Sequence, residues 1–150
     1  RFVKDAIPLT GKMNAKEWKE KAREYSPENK SKMCSKTTYI LMLLRWLKDQ
    51  VATYEQIVYD SSELGTYFLS RTNGEEPVKT GQRKFGGLYG FVGNTYKIIE
   101  NTDPYSAYRF LMAGGDCNND GGFHCASKYG VLRDDELDIS GYGVGLIELQ

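Results

Sequence analysis

The chain has 150 residues, of which 40% are hydrophobic and 27% charged, and its formal net charge is zero. That size and balance suit one domain with a real hydrophobic core, and they exclude the strongly basic balance of a general nucleic-acid binder. No run approaches the roughly 20 apolar residues that cross a bilayer, so no transmembrane span is expected.

The charge is unevenly spread. Residues 1–50 hold 12 basic and 6 acidic side chains, a net of +6, whereas residues 101–150 hold 3 and 8, a net of −5. The two ends are expected either to fold against each other or to leave a basic face for an acidic partner. The chain opens on Arg1 rather than Met, and the expectation is a single domain over 1–150, excised from a longer or processed chain and exported or delivered as an effector.

In chain order, Pro8 and Gly11 break the first 13 residues. Asn14 with Glu17 three residues later is a capping box, and Trp18, Ala22 and Tyr25 recur at helical spacing until Ser26-Pro27 ends the helix. A second helix is expected from Cys34 or Ser35 to about Gln50, with Tyr39, Met42, Leu43, Trp46 and Leu47 on one wide apolar face. Thr53 and Gln56 form another capping box, opening a short helix to about Asp60. Residues 63–70 fit helix or strand, and residues 71–84 read as a polar loop.

The texture then turns to β. Residues 88–92 and 95–100 flank Gly93-Asn94, which predicts a hairpin. Asp103-Pro104 predicts the start of a short helix reaching Met112, with an alternating strand over the same residues as the rival. A strand is expected over residues 142–149. Helices lead and strands follow, so the predicted class is α+β, with N-terminal helices packed on a small C-terminal antiparallel sheet.

The densest chemistry lies in residues 114–125. This stretch holds the lone histidine, His124, and two of the three cysteines, Cys117 and Cys125, which could close a ring as a disulfide. A cysteine before a core helix feels the positive end of the helix dipole, which lowers a thiol pKa and favours the nucleophilic thiolate. Cys34 has that position, and His124 is the only side chain whose ordinary pKa lies near neutrality. Asp134, Asp135 or Asp138 could orient the imidazole.

Cys34 with Ser35-Lys-Thr-Thr-Tyr-Ile-Leu behind it, then His124, then a following aspartate, resembles the papain-like cysteine hydrolases, including compact peptidoglycan amidases and bacterial effector amidases. The resemblance spans roughly residues 34–48 and 120–138. It implies a Cys34 nucleophile, a His124 base and Asp134 or Asp135 as orienting group. It also implies a peptide or peptidoglycan-like substrate, an inhibitor or immunity protein as partner, and no required cofactor.

Two other readings stand beside it. Asp116, Asn118 and Asp120 occupy positions 1, 3 and 5 of an EF-hand-like loop with Gly121 at 6, which would take calcium, although Ser127 at position 12 lacks the bidentate carboxylate. Such a loop could serve an interaction domain without catalysis. A toxin-type nuclease or nucleic-acid module could instead use His124 as acid and base, with a winged helix built from residues 40–60 and the 88–100 hairpin, and Lys79, Arg83 and Lys84 nearby. Zinc held by Cys117, His124 and Cys125 matches no usual finger spacing.

Overall fold

The computed structural model describes residues 13–64, 84–85, 88–89, 91–93, 96–115, 126–127, 129–132, 142–144 and 146–147. Within them the class is α+β, as expected. Three helices come first: α1 (Ala15–Glu24), α2 (Lys36–Lys48) and α3 (Tyr54–Val58). Strand β1 (Lys32–Met33) separates α1 from α2, and seven strands follow α3. They are β2 (Lys84–Phe85), β3 (Leu88–Tyr89), β4 (Tyr96–Glu100), β5 (Phe110–Ala113), β6 (Tyr129–Leu132), β7 (Tyr142–Val144) and β8 (Leu146–Ile147).

The helix starts follow from their caps. Asn14 accepts the Glu17 amide at 3.0 Å while the Glu17 carboxylate takes the Asn14 amide at 2.8 Å, so two otherwise orphaned donors are satisfied reciprocally. Thr53 and Gln56 repeat the arrangement for α3. Ser35, not Cys34, is the N-cap of α2, its hydroxyl accepting the Thr38 amide at 3.1 Å. After α1 the chain turns through a 3-10 segment at Pro27–Asn29, and Ser31 donates its hydroxyl back to the Ala22 carbonyl at 2.6 Å.

The main sheet has the order β6-β5-β4-β7. β4, β5 and β6 are antiparallel, while β7 lies parallel to β4, so the sheet is mixed at that edge rather than wholly antiparallel. β8 leaves the sheet to pair with β1, so the expected C-terminal strand is two short ones serving two sheets.

Alternation across the main sheet divides the core. Ile98 and Phe110 join Met33 and Leu132 under α1, packed with Ala15, Trp18 and Ala22. Ile99, Leu111 and Ala113 point the other way, into a cluster with Cys34 and with Tyr39, Leu43 and Trp46 of α2. The period of two along each strand thus places α1 on one face and α2 with α3 on the opposite face. Lys19 of α1 reaches across to Glu100 of β4 at 2.6 Å, a half-exposed pair worth little by itself.

Two local expectations are corrected. Among the described residues the 88–100 hairpin is not formed: β3 pairs with β2, and β4 pairs with β5 and β7, so the wing expected from that hairpin is not seen there. The helix expected from Asp103-Pro104 is instead a turn leading into strand β5. The Asp103 carboxylate accepts the Tyr105 amide at 3.0 Å, and Asn101 accepts the Asp103 amide and donates to the Tyr108 carbonyl. Short polar side chains satisfied the backbone locally and offered it an alternative to the helix. The helical spacing of Tyr25 also stops short of burial, because Tyr25 is the C-cap of α1 and is exposed. Among the described residues no helix is long and apolar enough to cross a membrane.

Candidate functional site

Of the residues predicted to carry chemistry, Cys34 and Lys84, the latter in strand β2, lie within the described part of the chain. Asp116, Asn118, Asp120, His124, Asp134 and Asp135 lie outside it, as do Cys117, Cys125, Asp138, Lys79 and Arg83. Among the described residues no three His, Cys, Asp or Glu side chains converge to hold a metal ion.

The position of Cys34 is set by both ends of the local chain. Its carbonyl accepts the Glu100 amide at 2.9 Å, and Ser35 bridges Glu100 in parallel fashion just where β7, which pairs with Tyr96–Ile98, has ended. One edge of β4 is therefore shared between β7 and the entry to α2. The thiol turns into the core, only 1% exposed, and its Sγ donates to the Ser35 carbonyl at 3.4 Å.

That burial reverses the expected direction of the Cys34 pKa. Desolvation pushes the thiol up to about 12, because a thiolate here would lose its water. Cys34 precedes the N-cap, so it does not sit in the first turn, where the dipole and free amides act most strongly. The tyrosine hydroxyl of Tyr129, at the start of β6, is also pushed up, first by burial and then by the nearby Cys34 charge. Lys36 of α2 holds its ammonium 5.6 Å above the Tyr129 ring, so Cys34, Lys36 and Tyr129 gather at the N-terminal end of α2.

A raised folded-state pKa means that the native chain holds the proton more tightly than the unfolded chain. The associated stability is present below about pH 9 and is lost as pH rises towards about 12. Urea unfolding should therefore show stability flat around neutrality and falling above about pH 9, at up to about 1.4 kcal/mol per pH unit. In Cys34→Ala that alkaline limb should shrink; an unchanged limb would refute the assignment.

The second component is the base of the segment that carries His124. Tyr39, one helical turn and a residue beyond Cys34, donates its hydroxyl to the Ala126 carbonyl at 2.9 Å. The Ala126 amide donates to Ser61 Oγ at 2.8 Å, and the Ser127 amide to the Ile57 carbonyl at 3.1 Å. At the other end, Gly114 has φ +82°, its carbonyl accepts the Gly93 amide at 2.8 Å, and a Cβ there would stand 3.2 Å from the Tyr39 hydroxyl. Both ends of the 114–126 segment thus meet at the Tyr39 hydroxyl. The ring itself packs against Phe91 and Tyr129, with centroids 4.8 and 6.1 Å away.

Sequence reasoning placed Tyr39 in the core but missed its hydroxyl. The available signal was a tyrosine among leucines and methionines, since a buried tyrosine usually brings a hydrogen-bond partner. Lys97 was missed altogether: it is 5% exposed on the α2 side of β4 and donates Nζ to the Gly93 carbonyl at 2.8 Å. Nothing in Tyr96-Lys-Ile-Ile-Glu100 marks that lysine as buried.

Compared with models of known protein families and with curated proteins, the sequence matches neither.

Proposed function

We propose that the chain is a cysteine-dependent hydrolase of amide bonds in peptide or peptidoglycan-like substrates, with Cys34 as nucleophile, His124 as base and Asp134 or Asp135 orienting the imidazole. The observation that supports this reading is the junction at Tyr39. The helix that follows Cys34 grips the chain two residues after His124, at Ala126, and also contacts the start of the same segment at Gly114.

The raised thiol pKa bears on the form of such a mechanism. A thiol pushed up to about 12 by burial carries its proton at neutrality, which favours general-base attack, as in Ser–His hydrolases, over a resting thiolate–imidazolium pair. His124 would take the Sγ proton as the S–C bond forms and return it to the leaving amine as the C–N bond breaks. Water then hydrolyses the thioester. With Cys34 1% exposed, the packing over it has to open for substrate to reach the thiol.

The same burial favours a second reading, in which Cys34 is a packing residue and His124 acts without it on phosphodiesters. Calcium at Asp116, Asn118 and Asp120 would stiffen the histidine segment in either case. One experiment separates these readings: peptidoglycan-fragment and RNA hydrolysis by wild type, Cys34→Ala and His124→Ala, each with calcium and with a chelator. The amidase reading expects amide cleavage lost in both variants, with their unfolding midpoints retained, and kcat/KM rising through a single ionisation near the histidine value of about 6.5. RNA cleavage that survives Cys34→Ala but not His124→Ala would overturn it for the second reading. Amide cleavage that survives Cys34→Ala would overturn it outright.

A further inference from the structure

α2 is apolar on two opposite sides. Tyr39, Leu43 and Trp46 fill the core, yet Leu41 and Leu44 on the outer side are 58% and 52% exposed. A helix that is apolar around most of its circumference is ordinarily covered on every side. Here, among the described residues, nothing covers the outer side, and the two leucines, three residues apart, stand next to each other along one stripe. Thr37 continues that stripe one turn earlier, and Arg45 and Lys48 continue it one turn later.

The stripe has a sign. Within α2 the charged residues are Lys36, Arg45 and Lys48, with no acid. The C-cap Asp49 supplies one carboxylate, and Arg45 pairs with it. At the other end the Thr37 hydroxyl meets that of Thr102 at 2.8 Å, so the 101–109 turn borders the stripe, with Tyr105 96% exposed on it. The hydrogen bonds of Asn101 and Asp103 hold that turn in shape, which keeps down the ordering cost of a contact there.

We propose that this outer stripe docks an acidic amphipathic helix of a partner protein. Its apolar residues would cover Leu41 and Leu44, and its carboxylates would meet Lys48 and the rim at Arg45. Helix-on-helix docking matches the spacing of the leucines, and the absence of acid within α2 selects the charge of the partner. A second copy of the stripe is the poorer occupant, because its α2 offers no carboxylate to meet Lys48.

The test uses the whole chain and a synthetic 18-residue helical peptide with leucine at spacings of three and four and glutamate elsewhere. A peptide with lysine in place of glutamate and a scrambled glutamate peptide are the comparisons. The expected result is saturable binding of the glutamate peptide alone, weakened by salt, and weakened at least about tenfold in Leu41→Ser/Leu44→Ser. Lys48→Glu should weaken the glutamate peptide several-fold and admit the lysine peptide, a readout that holds even if the double variant folds poorly. Equal binding of both peptides, no saturable binding, or binding untouched by either variant would overturn the proposal. So would self-association of the free chain that the double serine variant abolishes, since the occupant would then be a second copy.

Discussion

Trp18→Ala is expected to cost about 3–5 kcal/mol in urea unfolding, the usual range for deleting a large buried aromatic side chain. Trp18 lies 1% exposed between α1 and the sheet, in the cluster with Met33, Ile98, Phe110 and Leu132, so its removal leaves a void at the only helix on that face among the described residues. Trp18→Phe should cost much less than the alanine change. The indole Nε1 is buried without a hydrogen-bond partner among the described residues, and phenylalanine removes that desolvated donor while keeping most of the ring. A phenylalanine variant as damaged as the alanine variant would refute this, showing that the indole as a whole, its N–H included, contributes to stability.

Tyr39 carries the second large effect, with a different signature. Tyr39→Ala should again cost about 3–5 kcal/mol through lost packing against Phe91 and Tyr129. Tyr39→Phe isolates the hydroxyl: it leaves the Ala126 carbonyl without its tyrosine donor and should cost about 1–3 kcal/mol. Gly114→Ala attacks the same junction from the other strand, because its φ of +82° is unfavourable for a side chain and the added Cβ crowds the Tyr39 hydroxyl. If the junction acts as a unit, Tyr39→Phe and Gly114→Ala combined should cost less than the sum of the two. Strict additivity would mean that the two ends of the 114–126 segment are held independently.

The helical half of the fold was legible because its signals are local. The Asn14–Glu17 and Thr53–Gln56 boxes are complete within four residues, and the apolar face of α2 repeats at 3.6. The β half was legible as a class but not in its pairing. Gly93-Asn94 looks like a hairpin turn, yet β4 takes β5 and β7 as partners, because strand pairing is settled by which faces must be buried and not by the turn residues alone. Asp103-Pro104 shows the same limit: the dipeptide opens helices and turns alike, and Phe110–Ala113 was drawn into the sheet beside β4.

For the candidate site, the sequence by itself determined the chemical inventory: one histidine, three cysteines, the acidic and glycine-rich stretch around them, and a cysteine just before the strongest helix. It also determined the class, α+β, and the place of Tyr39, Leu43 and Trp46 in the core. Only the tertiary structure decided what Cys34 experiences. The dipole argument sees a helix end and predicts a low pKa, whereas the thiol turns into a cluster with Ile99, Ala113 and Ala126, far along the chain, and desolvation outweighs the dipole. The same holds for the Tyr39 hydroxyl and the Lys97 ammonium. Their partners lie on other elements or at a bend in the backbone, and burial and hydrogen bonding at long sequence separation are properties of packing, not of spacing.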